Sequence, residues 1–201
     1  MKLYLIRHGE TDWNKMRRIQ GSANVDLNEY GRELARITRD ALKGIPFDAA
    51  YTSPLNRAKE TGEIILGRRN LKLFEDSRLA EMHFGTYEGA KEADLRKNGD
   101  DFLNAFDCPE QFHGKGGSEK HQDVIERAQD FMKDVILPGE GQYEHFAVFS
   151  HGALIHAMLT SIYQRQIKDF WHPPGQLNCG VSTIEVHHGI CRVLDESRIF
   201  Y

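Results

Sequence analysis

Short apolar runs alternate with segments of helical periodicity along most of this 201-residue chain. Apolar runs between turn signals are typical of buried strands, and apolar residues three and four positions apart are typical of helices. The runs predict strands at residues 2–6, 48–52, 71–74, 145–150, 181–186 and 191–194. The periodic segments predict helices at residues 28–43, 54–67, 118–138 and from 152 onward. This alternation favours a three-layer α/β/α sandwich with a mostly parallel central sheet.

Capping and turn residues indicate where these elements begin and end. Ser53 is predicted as the N-cap of the second helix, because its hydroxyl can accept a hydrogen bond from the first turn and Pro54 suits the first helical position. Ser118 is predicted to cap the third helix in the same way. Gly44 is the predicted stop of the first helix, and His188-Gly189 is the predicted turn of a closing hairpin.

Residues 98–118 interrupt the alternation of strands and helices. The segment holds four carboxylates and one lysine, and loops this long in compact domains are usually lids, binding elements or disordered segments. A solvated insertion and a partly helical cap over a pocket are both open interpretations. Phe102, Phe106 and Phe112 favour the cap, because exposed insertions rarely carry three phenylalanines.

The composition is that of an ordinary globular protein, with 40% hydrophobic and 28% charged residues. The formal net charge of −4 argues against general affinity for nucleic acid or acidic membranes. The three cysteines lie in no metal-ligand spacing, which favours a reducing compartment over a disulfide framework or a zinc site. The first ten residues hold too short an apolar stretch for a signal peptide. We therefore expect a cytoplasmic protein with one domain over residues 1–201.

Two of the predicted strands end in the same way, with a histidine followed by a glycine. The run LYLI leads into Arg7-His8-Gly9, and the run AVF leads into Ser150-His151-Gly152. Ligands of open α/β sheets bind beyond the carboxyl ends of the strands. Glycine allows the backbone to turn sharply or to approach a ligand closely. If the two strands are neighbours, both imidazoles face one pocket.

An arginine near the start of a helix adds positive charge to this predicted pocket. Arg57 lies at about the third position of the second predicted helix, close to the positive end of the helix dipole. Arginine grips phosphate oxygens through forked hydrogen bonds, which lysine cannot form as well. Arg57 alone would be interpreted as an exposed helix charge. Together with Arg7 and the two histidines, it indicates a site for a doubly charged tetrahedral anion.

Four strings, in order along the chain, carry a resemblance to a known family. They are LIRHGETDWN (5–14), TSPLNRAKET (52–61), LAEMHFGTYEG (79–89) and FSHGALIHAML (149–159). Together they closely resemble the histidine phosphatase superfamily, also called the phosphoglycerate mutase-like family. The resemblance spans nearly the whole chain.

The resemblance implies a metal-independent reaction in which the imidazole of His8 takes up the phosphoryl group. Glu81 matches the proton donor of the family, and Arg7, Arg57 and His151 resemble the rest of its phosphate pocket. Neutral imidazole is a good nucleophile near pH 7 when its other nitrogen is held as a donor. No metal or cofactor is implied. The resemblance further implies three substrate-binding residues, namely Asn14, Gln20 and Gly21.

Phosphatases and mutases of this kind share the same machinery and differ in the fate of the phosphohistidine. The familiar mutases carry an extra segment after the glutamate motif, whereas here Glu81-Met82 is followed directly by HFGTYEG. Glu10-Thr11 also resembles the phosphatase branch. We therefore predict hydrolysis of a small-molecule phosphomonoester, with phosphoglycerate mutase-type transfer as the alternative. A non-catalytic module that binds phosphorylated ligands is disfavoured, because none of the five catalytic candidates is lost.

The partner predicted for this site is a small phosphorylated metabolite. Sugar phosphates, phosphoglycerate-like acids and the ester handled by α-ribazole phosphatases all remain open as substrates. Members of the family often carry Gly-Glu-Ser before the late helix, and the altered order in residues 116–119 leaves that stretch without an assigned role. Seven further histidines have no motif support and are interpreted as surface or structural residues: His113, His121, His145, His156, His172, His187 and His188.

Overall fold

The computed structural model describes residues 1–201 and contains one six-stranded sheet. The strands are β1 (Lys2–Arg7), β2 (Ala49–Thr52), β3 (Leu73–Glu75), β4 (His145–Ser150), β5 (Val181–His187) and β6 (Ile190–Arg198). Their order across the sheet is β3-β2-β4-β1-β5-β6. Strands β1 to β4 run parallel to one another, β5 runs antiparallel to β1, and β6 runs antiparallel to β5. The prediction of a mostly parallel sheet is therefore confirmed.

Helices connect the strands and cover the sheet. They are α1 (Asp12–Lys15), α2 (Glu29–Ala41), α3 (Asn56–Leu66), α4 (Glu92–Asn98), α5 (Asn104–Asp107), α6 (His121–Phe131), α7 (Leu137–Gly139) and α8 (Gly152–Tyr163). A π-helical stretch, Met132–Ile136, joins α6 to α7. No helix has both the length and the hydropathy that crossing a membrane requires.

The hydrophobic core has two parts because successive side chains of a strand point to opposite faces of the sheet. Leu3 and Leu5 of β1 belong to a cluster that includes buried residues of α6 and α8. Tyr4 and Ile6 belong to a second cluster with residues of α2 and α3. A strand buried on both faces is a nearly continuous apolar run, which is the pattern that made β1 recognisable. The predicted α/β/α sandwich is confirmed.

Two predicted helix caps are wrong. The helix predicted from Ser53 begins at Asn56, with Leu55 at the N-cap position. The Ser53 hydroxyl instead accepts a hydrogen bond from the Leu55 N–H, at 3.2 Å. The helix predicted from Ser118 begins at His121. In both cases the serine lies in a turn just before the helix. Its hydroxyl forms a hydrogen bond with a backbone group of that turn instead of capping the helix.

The segment 98–118 contains short helical turns, including α5. Phe102 is fully buried and stacks on Tyr87, with ring centroids 3.9 Å apart. Phe112 packs edge-on against His121. Phe106 lines a pocket at the carboxyl edge of the sheet. The segment is thus anchored by aromatic packing; its action as a cap stays a prediction.

Two buried histidines make the stability of the fold depend on pH. Burial lowers the pKa of both His121 and His156 to about 4. In the unfolded chain the pKa returns to about 6.5, so the unfolded state binds more protons and stability falls as the pH drops from about 6.5 towards 4. The loss is about 3 kcal/mol per histidine at pH 4.

We expect His121→Gln to flatten this pH dependence relative to the wild type in urea unfolding between pH 4 and 8. The glutamine amide can still donate to the Ala105 carbonyl, which lies 2.9 Å from the His121 Nε2. The exposed His187 provides the control, since His187→Gln should leave the pH dependence unchanged. Equal slopes for wild type and His121→Gln would contradict the prediction.

Candidate active site

The two histidines at strand ends meet because β1 and β4 are adjacent and parallel. Arg7, the last residue of β1, is in register with Ser150, the last residue of β4. His8 and His151 follow directly, and their ring centroids lie 5.1 Å apart. Both side chains are buried. The order of the strands in the sheet therefore places the two imidazoles next to each other, as predicted.

A single backbone hydrogen bond sets the protonation of His8. Its Nδ1 lies 2.7 Å from the Gly9 carbonyl oxygen, which can only accept, so Nδ1 carries the proton. Burial lowers the pKa of His8 well below its ordinary value, and the charges of Arg57 and Arg7 lower it further. The imidazole is therefore neutral at pH 7, and its Nε2 carries the lone pair that a nucleophile needs.

The loop that carries His8 is held on several sides. Asn178 Nδ2 donates to the His8 carbonyl at 3.0 Å, and the Gly9 N–H donates to Thr61 Oγ1 at 3.0 Å. A Cβ atom on Gly9 would lie 2.5 Å from the carbonyl oxygen of Gly31, so only glycine fits this close approach to α2. His8 thus lies on a firmly held loop.

His151 is buried and neutral beside His8. Burial is the main cause that lowers the pKa of His151 well below its ordinary value, and Arg57 and His8 add to it. Its Nε2 lies 2.7 Å from Ser53 Oγ, whereas its Nδ1 has no partner in the protein. His151 can therefore give one further hydrogen bond to a ligand without adding a formal charge.

Arg57 is a fully buried cation at the start of α3, where it is the second helical residue. Its Nη1 donates to the Ala23 carbonyl and its Nη2 to the Gly21 carbonyl, each at 2.7 Å. Burial lowers its pKa to about 10, so it still carries its charge at pH 7. Its Nε has no partner in the protein. No carboxylate forms an ion pair with this cation, which favours an anionic ligand.

Arg7 adds a second, half-buried cation next to an acidic residue. Its Nη1 donates to the Gln176 carbonyl, and its Nε has no partner in the protein. Glu81 Oε1 accepts from the N–H groups of Met82 at 2.9 Å and of Ala153 at 3.1 Å. Ala153 lies in the first turn of α8, so Glu81 is held at the positive end of that helix.

The three predicted substrate-binding residues line one pocket with Arg7 and Glu81. The Asn14 Oδ1 accepts from the N–H of Thr11 at 3.1 Å, which leaves its Nδ2 to donate elsewhere. The side chain of Gln20 contacts the Thr11 hydroxyl at 3.0 Å, and the carbonyl of Gly21 holds Arg57. Gly21 thus contributes through its backbone.

This pocket has a volume of about 310 Å³ and lies at the carboxyl edge of the parallel strands. His8, Arg57 and His151 are buried beside it and connect to it through Arg7, Gly21 and Gly152, which line it. A larger cavity of about 710 Å³ lies at the opposite edge, against the first residues of β1 and β4. That cavity contains none of the predicted site residues, so size alone does not identify the functional site.

The structure brings together all eight predicted site residues, and it adds groups that sequence reasoning did not identify. Ser53 contacts His151, and Asn178 fixes the His8 carbonyl. His156, interpreted from the sequence as a surface or structural residue, lines the pocket with Trp171 and Gln176. No group of three or more histidine, cysteine or carboxylate side chains is arranged to hold a metal ion. Independence from metal stays a prediction.

The site contains a neutral imidazole, one buried and one half-buried guanidinium group, and one carboxylate. Such a set can bind a phosphoryl dianion, attack its phosphorus and transfer a proton to a leaving oxygen. The fold and the site together are those of an α/β protein that handles a tetrahedral anion at the carboxyl edge of its sheet.

The chain belongs to the histidine phosphatase superfamily (branch 1), whose family model matches residues 3–197. It is similar to the solved structure of YhfR from Bacillus stearothermophilus, with a TM-score of 0.92 and 32% sequence identity over 98% of this chain and 97% of that one.

Curated relatives of the chain include both phosphatases and mutases. The uncharacterized phosphatase PhoE of Bacillus subtilis is 34% identical over 79% of this chain and 75% of its own length. A 2,3-bisphosphoglycerate-dependent phosphoglycerate mutase of Parvibaculum lavamentivorans is 31% identical over 80% of this chain and 79% of its own length. The family is therefore established. Which of its two activities the chain has must be decided from the residues of the site.

Proposed function

We propose that the protein is a metal-independent phosphatase that hydrolyses a small-molecule phosphomonoester through a phosphohistidine on His8. One observation carries the proposal. The Nδ1 proton of His8 is committed to the Gly9 carbonyl and the imidazole is neutral, so Nε2 is unprotonated next to the charges of Arg57 and Arg7. A non-catalytic binding module has no need of a buried, unprotonated imidazole nitrogen.

The first step forms the phosphohistidine. His8 Nε2 attacks phosphorus and forms the P–N bond, the P–O ester bond breaks, and the leaving oxygen takes a proton from the acid form of Glu81. In the second step water attacks phosphorus and passes a proton to the Glu81 carboxylate. The P–N bond then breaks, so that His8 is restored and inorganic phosphate is released.

The charge that develops on the phosphoryl oxygens is stabilised by groups already in position. Arg7 and Arg57 supply two positive charges, and His151 and Asn14 supply neutral hydrogen bonds. Because these groups are held by backbone carbonyls, hydroxyls and packing, little reorganisation is required during the transfer. The protein accelerates the transfer by aligning the reacting atoms and by stabilising charge.

Mutase-type transfer uses the same first step, and the presence of mutase relatives keeps it as the second candidate. The difference lies in whether water or a second substrate hydroxyl receives the phosphoryl group. The compact string HFGTYEG directly after Glu81-Met82 favours the phosphatase, because the mutases that the chain resembles have an added segment there.

We expect p-nitrophenyl phosphate to be hydrolysed at an unchanged rate in the presence of EDTA. Dependence on added divalent metal would overturn the metal-independent reaction. In a parallel assay, 2,3-bisphosphoglycerate and a monophosphoglycerate are supplied together, and the release of inorganic phosphate is compared with the formation of the isomeric monophosphoglycerate. Transfer that outpaces phosphate release would establish the mutase instead.

A further inference from the structure

Five buried polar atoms around the pocket have no partner in the protein, and the phosphoryl chemistry accounts for three of them. Those three are Arg7 Nε, Arg57 Nε and His151 Nδ1. The other two, Gln176 Nε2 and His156 Nδ1, belong to residues that line the same pocket and have no part in the proposed transfer. Because buried polar groups nearly always have a partner, this pair requires an explanation.

The Gln176 amide lies with its oxygen towards Ser182, and its nitrogen has no partner in the protein. The Ser182 hydroxyl oxygen accepts from the Ser197 N–H at 3.0 Å, and it lies 3.2 Å from Gln176 Oε1. A carbonyl oxygen can only accept, so the single hydroxyl proton of Ser182 is donated to Gln176 Oε1. Nε2 is therefore the free end of the amide, and it carries two N–H donors in a side chain that is 5% exposed.

The main chain of Gln176 places it next to the phosphoryl-binding group, because its carbonyl accepts from Arg7 Nη1. Phe106 and Trp171 form an aromatic wall of the same pocket. Gln176 thus lines a pocket that contains both the phosphate-binding Arg7 and this aromatic wall. A phosphomonoester that reaches Arg7 would have its alcohol portion in this space.

His156 supports the same assignment from α8. Its ring packs edge-on against Trp171, with centroids 5.2 Å apart, and the side chain is 4% exposed. Burial lowers its pKa to about 4, so the ring is uncharged at pH 7. A neutral imidazole can both donate and accept a hydrogen bond, which suits a hydroxyl group.

We infer that Gln176 determines specificity for the leaving group, by donating from Nε2 to a neutral oxygen on the alcohol portion of the substrate. The substrate class is a phosphomonoester whose alcohol carries a further hydroxyl or carbonyl oxygen. The inference rests on the proposed phosphatase activity. Gln176 and His156 are both neutral and buried, so they match an uncharged oxygen; a charged group there would be desolvated without an opposite charge from this pair.

Two substrates with the same carbon skeleton test the inference. Glycerol 3-phosphate carries two further hydroxyl groups, and n-propyl phosphate carries none. We expect the wild type to have a kcat/KM for glycerol 3-phosphate at least about tenfold above that for n-propyl phosphate, because a site built to bond an oxygen discriminates against the analogue that lacks it. We expect Gln176→Met to reduce this ratio to about one, mainly through loss of glycerol 3-phosphate hydrolysis.

A second variant distinguishes the loss of the N–H donors from a general disturbance of the fold. Gln176→Glu keeps an oxygen to accept from Ser182 and removes both N–H donors, so it should also lose the discrimination. Gln142, at the opposite edge of the sheet, provides the matched control, because its side chain bonds only the Pro138 carbonyl. Gln142→Met should keep the wild-type ratio. Thermal unfolding of each variant reports any loss of folded protein.

The outcomes are distinguishable from a failure of the proposed function. If the wild type does not hydrolyse p-nitrophenyl phosphate, the phosphatase proposal fails. If it does, but glycerol 3-phosphate and n-propyl phosphate react equally well, the inference is overturned. Equal slowing of both alkyl phosphates in Gln176→Met would also overturn it, because Gln176 would then act on the phosphoryl group. An unchanged ratio in both Gln176 variants would exclude any contact with the leaving group.

Discussion

Replacement of His8 with alanine is expected to lower kcat/KM for p-nitrophenyl phosphate by about 10⁴-fold or more, because the covalent route is lost and no second nucleophile lies in its place. We do not expect the neighbouring His151 to substitute, since its Nε2 is engaged by Ser53 and its ring is tilted by 56° to that of His8, with centroids 5.1 Å apart. The residual rate would come from binding and charge stabilisation by Arg7 and Arg57.

The same variant should lose the covalent intermediate. Wild-type protein mixed with substrate and quenched rapidly in alkali should carry phosphate that is released by mild acid, as a phosphoramidate is, and His8→Ala should carry none. His187→Ala is the control, because His187 is an exposed residue at the end of β5 that is distant in the sheet from this edge. A labelled intermediate in His8→Ala, or activity within tenfold of the wild type, would contradict the assignment of the nucleophile.

Replacement of Glu81 with glutamine is expected to affect the two halves of the reaction differently. With an alkyl phosphate, the leaving oxygen needs a proton, so kcat/KM should fall by about 10² to 10⁴-fold. With p-nitrophenyl phosphate, the leaving group departs without a proton and phosphorylation of His8 persists. The second half still needs a base for the attacking water, so the phosphohistidine should accumulate.

Rapid mixing of Glu81→Gln with p-nitrophenyl phosphate should therefore give a burst of about one p-nitrophenol per enzyme molecule, followed by slow turnover. The glutamine carbonyl can keep the hydrogen bonds from the Met82 and Ala153 N–H groups, so the local structure is preserved. Glu144→Gln, an exposed change at the other edge of the sheet, should behave as the wild type. Steady-state turnover at the wild-type rate in Glu81→Gln would exclude its role in proton transfer.

The sequence predicted the part of the site that depends on local pattern. Arg7-His8-Gly9 and Ser150-His151-Gly152 end buried strands, and parallel neighbours bring their carboxyl ends to one edge. Arg57 was predicted near a helix start, although the helix begins at Asn56 rather than after Ser53. The misplaced boundary arose because a serine before proline is typical both of a helix cap and of the turn that it forms here.

The rest of the pocket depends on tertiary packing and has no local signal. Gln176 precedes β5 in an irregular segment, and its role follows only from the contacts of its amide with Ser182 and of its carbonyl with Arg7. His156 lies on the almost wholly buried α8, and without motif support the sequence allowed only a surface or structural interpretation of it. Its approach to the pocket depends on how Trp171 and the loop before it pack on that helix.

The close approach of Gly9 to Gly31 has a consequence for how such a protein can diversify. Any side chain on Gly9 would collide with the backbone of α2, so the support of His8 tolerates almost no variation. The aromatic wall comes from other parts of the chain, with Phe106 in the segment 98–118 and Trp171 in the loop after α8. Under the proposed function, substitutions there would change which alcohol is accepted without moving His8. New substrate preferences are therefore easiest to engineer in those two segments, away from the loop that carries His8.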